Sequence, residues 1–135
     1  MRKAFSETLV KLAEKDPKLV FITGDMGYNV FNEFENKFPD RFVNVGVAEA
    51  EMINVAAGLA AEGFKPITYS ITSFATGRPF EQIRYCLAYP EMPVMMVGAG
   101  RGFLYSNAGV SHHAIDDVGI MRIIPGITIT TPADP

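Results

Sequence analysis

Five short apolar runs, set between longer segments of a different pattern, constrain this chain more than anything else in it. They are LVFIT (19–23), FVNVG (42–46), KPITYSIT (65–72), PVMMVG (93–98) and GITITTP (126–132). Several carry apolar side chains at consecutive positions, as strands buried on both faces must. The segments between them read as helices. Phe5, Leu9 and Leu12 recur at helical spacing and predict a helix over 3–15. A short helix is expected over 29–38, and an Ala-rich one over 48–62, closed by Gly63. Pro79 suits the first turn of a helix that continues through EQIRYCLAY, and AIDDVGIMRII (114–124) is expected to be the last. Strand and helix in alternation predict an α/β fold. It has three layers, α/β/α, around a mainly parallel sheet, with residues 1–135 as one domain.

Composition narrows the function. Hydrophobic residues make up 48% of the chain and charged residues 20%, enough apolar material for a core. The net charge of −3 gives no reason to expect nucleic acid. A single cysteine, Cys86, excludes an internal disulfide and fits a reducing compartment. It falls on the apolar face of a helix, so an inert buried thiol is expected, and Met92, Met95 and Met96 read as core filling. The N-terminal segment is amphipathic, and no apolar run is long enough to span a bilayer. A cytoplasmic location, with no membrane partner, is the expectation.

In open α/β sheets ligands sit outside the carboxyl ends of the strands. The unusual residues of this chain collect there. Asp25 follows the first run, Glu49 the second, Phe74 and Arg78 the third, and Gly98 to His113 the fourth. Two glutamates enter the first turn of the Ala-rich helix, where one would serve its dipole. At about 100° per residue Glu49 and Glu51 point apart. Glu51 reads as a solvated acid. Glu49, beside the strand end, is placed to point into the cleft and grip a proton on a ligand nitrogen. Ala50, Ile53, Ala57 and Ala60 form a small-residue face suited to close packing against another element, and a partner subunit is one candidate.

These residues resemble a known family. VGVAEAEMINVAAGLAAEGFKPI, SFATGRPFEQIR and GVSHHAIDDVGIMRIIPGITITTPADP are similar, in order and spacing, to the pyrimidine-binding domain of transketolase and deoxyxylulose-phosphate synthase. Those enzymes use thiamine diphosphate. The resemblance implies that Glu49 hydrogen-bonds the cofactor's aminopyrimidine ring and so promotes loss of the thiazolium proton. Phe74 matches the aromatic that stacks on that ring, and Phe80 a second aromatic position around it. Asp25 matches an aspartate near the cofactor, and His112 a histidine facing the substrate. The implied reaction moves a two-carbon ketol unit between sugar-like substrates.

The departures also inform. Where the family has Asp-Gly-Pro-Thr-His, this chain has Ala108-Gly109-Val110-Ser111-His112, and it lacks the aspartate that binds a sugar hydroxyl. A family histidine is replaced by Gly100, followed by Arg101, whose expected role is that of a solvated loop charge. The family holds the diphosphate and Mg2+ through Gly-Asp-Gly and a later Asn on another domain. Here GDMG (24–27) has Met26 in the middle. A diphosphate-binding partner domain or subunit, in a homo- or hetero-oligomer, is therefore expected, and the chain is either one part of a split enzyme or a segment of a longer one.

Other signals are set aside. GAGRGF fails the dinucleotide pattern because position 103 is Phe. Adjacent His112 and His113 point differently and lack further ligands at suitable spacing, so no metal site is expected. Asp116 and Asp117 read as a helix cap with first-turn charge. A phospho-receiver domain would want Lys after the fifth strand, where Pro132 stands. Two alternatives stay open: the β-type chain of a 2-oxo-acid dehydrogenase, and a non-catalytic binding or assembly module.

Overall fold

The computed structural model describes residues 1–134. Four parallel strands form one sheet: β1 (Leu19–Thr23), β2 (Phe42–Asn44), β3 (Lys65–Ile71) and β4 (Met95–Ala99), in the order β2-β1-β3-β4. All five residues of β1 are buried, as its unbroken apolar run requires. Its side chains alternate between two cores. Leu19 and Phe21 face α1 (Arg2–Lys15) and α2 (Asn32–Lys37), where they meet Leu9, Val10, Ala13 and Phe34. Val20 and Ile22 face α3 (Glu49–Ala61), against Met52 and Ala56. These two cores, on opposite faces of the sheet, establish the three-layer arrangement.

Phe21 anchors the first core. It is fully buried, with Phe5, Phe31, Phe34, Phe42 and Tyr69 around it at ring separations of 4.5–6.4 Å. On the other face Ile53 of α3 meets Ile83 and Leu87. Those two belong to a helix that begins as α5 (Phe80–Gln82) and widens into a π-helical stretch, Ile83–Ala88. There Tyr89 N–H donates to the Arg84 carbonyl at 2.9 Å, five residues back. The small-residue face of α3 is thus used within the chain: Ile53 and Ala57 receive this helix. Gly63, at φ +80°, closes α3 in the left-handed region, where a Cβ would be strained.

Four features differ from expectation. Residues 126–132 do not form a strand. They alternate as a strand should, but a strand exists only where its backbone finds a ladder. Ile127 is instead held by a turn, its N–H donating to the Ile124 carbonyl at 3.4 Å, while its side chain packs against the Ile53 core. An unanticipated helix, α4 (Thr72–Gly77), follows β3 directly, and the final helix shortens to α6 (Asp117–Met121). Met95 is not core filling. It is 58% exposed at the start of β4, an edge strand, whereas Met92 and Met96 do pack inward. No helix among the described residues is long and apolar enough to cross a membrane.

Candidate functional site

The strand order reverses between β1 and β3: the chain goes from β1 out to β2 on one side, then returns to β3 on the other. The crevice outside their carboxyl ends is the natural ligand site of such a sheet. Glu49 lies in it. The chain leaves β2, turns at Gly46 (φ +74°) and enters α3 with Glu49 as its first residue. Of the two first-turn acids, Glu49 is 1% exposed, while Glu51 faces solvent and accepts from Asn54 Nδ2 at 3.4 Å.

Both oxygens of the buried carboxylate are engaged. Ser70 Oγ, near the end of β3, donates to Oε1 at 2.8 Å. Arg78 Nη1 donates to Oε2 at 2.7 Å. Charge-assisted bonds of this kind offset the several kcal/mol, roughly, that desolvating a carboxylate costs. Gly24, just after β1, makes the space. A Cβ there would lie 3.2 Å from Ser70 Oγ and 3.4 Å from Glu49 Oε1, close enough to press on both.

Phe74 forms the next wall. It lies half-buried on α4, and the guanidinium of Arg78 sits over its ring, 3.9 Å from the centroid. His112 meets the same ring edge-on at 4.9 Å. The 3-10 turn carrying His112 is tied to α4 by Ser73 Oγ, which donates to the Ser111 carbonyl at 3.0 Å. The His112 Nδ1 and Ser111 Oγ atoms are 3.0 Å apart. The structure therefore brings Glu49, Phe74 and His112 into one chain of contacts, with Arg78 as the link.

Asp25 and Phe80 lie outside that chain of contacts. Asp25 adopts φ +55° at the end of β1 and pairs with Asn44 at the end of β2. Its N–H donates to Asn44 Oδ1 at 3.1 Å, and Asn44 Nδ2 returns a bond to Asp25 Oδ1 at 2.9 Å. Hydrogen bonds from Asn44 and from the Tyr28 hydroxyl hold its carboxyl below the usual carboxylate range. Phe80 packs, partly buried, against the Ile53–Ile83–Leu87 core.

The loop residues meet expectation in part. Arg101 Nε donates to Asp117 Oδ2 at 2.8 Å, so it is paired, and Asp117 is buried at the start of α6. Asp116 stands at the cap position and Asp117 in the first turn, as expected, though the Asp116 side chain makes no capping hydrogen bond. Cys86 is half-buried, its Sγ 3.8 Å from Asn54 Oδ1. Gly100 has φ +76°, and a Cβ on it would run into the Tyr105 ring. Gly100→Ala is expected to cost about 1–3 kcal/mol, from the left-handed backbone alone. Urea denaturation of the two proteins checks it, and an unchanged midpoint contradicts it.

Two contributors had no assigned role in the sequence reading. Arg78 stands four residues after Phe74, the spacing that stacks two side chains on a helix. Ser70 alternates with Thr68 and Thr72 in a run of polar residues across the end of β3. Each of these was the available signal.

A flat aromatic wall, a buried carboxylate and a donor lying between them meet at the switch point of this α/β sheet. The sequence matches the transketolase pyrimidine binding domain over residues 1–135, and the chain belongs to that family. It is 41% identical over 135 residues to a 6-deoxy-6-sulfo-D-fructose transketolase subunit of Clostridium sp., covering 99% of this chain and 42% of the relative. It is 40% identical over 134 residues to the 1-deoxy-D-xylulose-5-phosphate synthase of Oleidesulfovibrio alaskensis, covering 98% of this chain and 20% of that enzyme. Among solved structures, a split-gene transketolase described as an inactive beta4 tetramer is similar with a TM-score of 0.79. That match has 37% identity and covers 92% of this chain and 40% of the other. The chain thus spans less than half the length of these relatives.

Proposed function

We propose that this chain is the pyrimidine-binding half of a thiamine-diphosphate-dependent transketolase-type enzyme, which transfers a two-carbon ketol unit between sugar-like substrates. The observation that carries the reading is the Glu49 carboxylate, 1% exposed and presented to a flat, hydrogen-bond-donating group that rests on Phe74. A guanidinium is planar and donates N–H bonds in its plane. An aminopyrimidine ring is also planar, and once a ring nitrogen is protonated it presents an N–H in the ring plane, so the wall and the carboxylate fit the cofactor's ring.

The roles then divide. Glu49 accepts a hydrogen bond at a ring nitrogen and holds a proton there, with Ser70 fixing the carboxylate's orientation. Phe74 supports the ring face, while Phe80, packed on the Ile53 core, and Asp25, paired with Asn44, are assigned near the ring by the family resemblance alone. His112, held against Phe74 by its own turn, faces the substrate. When bound, thiamine diphosphate supplies the carbanion chemistry.

The diphosphate and Mg2+ belong to a partner domain or subunit. The length of the relatives supports this, since the chain covers 42% of the Clostridium subunit. The split-gene neighbour, an inactive beta4 tetramer, also agrees with an activity that one type of chain does not provide. We place the assembled homo- or hetero-oligomer in the cytoplasm.

Phe74→Ala tests the stacking role. In the assembled enzyme the Kd for thiamine diphosphate, measured by calorimetric titration, is expected to rise roughly tenfold, about 1.4 kcal/mol. Unchanged affinity removes Phe74 from the site.

A further inference from the structure

Arg78 does two things at once that the functional reading assigns to the cofactor's ring. Its guanidinium stacks on Phe74 at 3.9 Å, and its Nη1 binds Glu49 Oε2 at 2.7 Å. We propose that Arg78 and the pyrimidine ring are alternative occupants of one slot, so that Arg78 must be displaced for the cofactor to bind and thereby sets its affinity. This rests on the reading given above.

The geometry leaves little room for sharing. Oε1 of Glu49 is committed to Ser70 Oγ, and the carboxylate is 1% exposed, so Oε2 is the oxygen open to a further donor. Arg78 already holds it. His112 presses on the Phe74 ring as well, which further limits the stacking surface.

The two partners differ in how easily they part. Glu49 is fixed at the start of a 13-residue helix and buried. The Arg78 side chain is 43% exposed, and its residue follows the last turn of the six-residue α4. A half-hydrated guanidinium on a long stem returns to water at small cost. A buried carboxylate left without any partner is strongly disfavoured. Arg78 is therefore the group that moves, and until it moves it keeps Glu49 paired. The physical consequence is a competition: each donor that Arg78 offers to Glu49 is one the ring must replace.

The test uses the chain assembled with its diphosphate-binding partner, titrated with thiamine diphosphate and Mg2+ by calorimetry, for wild type, Arg78→Met and Arg78→Lys. Arg78→Met keeps aliphatic volume and removes the competing cation, so its Kd is expected to fall about tenfold. Arg78→Lys keeps a charge but loses the planar stack, and is expected to bind about two- to fivefold tighter than wild type. Circular dichroism checks that each variant folds, and if Arg78→Met does not, Arg78→Lys decides. Equal or weaker binding by the folded variants overturns the competition. Weaker binding would make Arg78 a direct cofactor ligand instead. Should the wild-type assembly bind no thiamine diphosphate, the functional reading falls and this inference with it.

Discussion

Glu49→Gln in the assembled enzyme is expected to lower kcat by about a hundred- to ten-thousand-fold, the range for losing a positioned acid–base group. Glutamine keeps the shape of the side chain and an oxygen for Ser70 Oγ to donate to. It cannot hold a proton shared with a ring nitrogen. The fold should survive, because Arg78 is 43% exposed and regains water when its partner loses charge. Steady-state ketol transfer at saturating cofactor, with circular dichroism as control, makes the comparison. A kcat within about threefold of wild type would remove Glu49 from the chemistry.

Phe21→Ala is expected to destabilise the chain by about 3–5 kcal/mol, as aromatic deletions in tight cores do. Phe21 is fully buried on the central strand β1, and five aromatic rings surround it, the nearest being Phe31 at 4.5 Å. Collapse into the gap is hindered, because Phe31, Phe34 and Tyr69 also pack on one another or on neighbouring rings. Urea denaturation reads the loss. A change under about 1 kcal/mol would mean that this cluster relaxes freely. The size of the effect also bears on the site, since the loop carrying Gly24 leaves from the end of the same strand.

How much of this was legible varied with the range of the interactions involved. LVFIT announced β1 to the residue, because a run buried on both faces carries its own signal in hydrophobicity. Glu49 was legible for a similar reason: an acid with a second acid two residues away needed an explanation that the helix dipole did not supply. Arg78 was visible as a neighbour of Phe74, yet its pairing with Glu49 joins residues 29 apart through the fold. No local pattern encodes that. Asp117 escaped similarly: it is buried and pairs with Arg101, sixteen positions earlier. GITITTP shows the converse. Its β-branched alternation is a strand signal, but strand formation requires a ladder partner that local sequence does not provide.

Under the proposed function, this chain completes a ketol-transferring site. The direct measurement is product analysis on the chain assembled with a diphosphate-binding partner, thiamine diphosphate and Mg2+, given a labelled ketose donor and an aldose acceptor. The expected product is an acceptor lengthened by two carbons, formed only when both chains are present. Release of carbon dioxide from a 2-oxo acid, or no transfer with both chains and the cofactor in place, would contradict it.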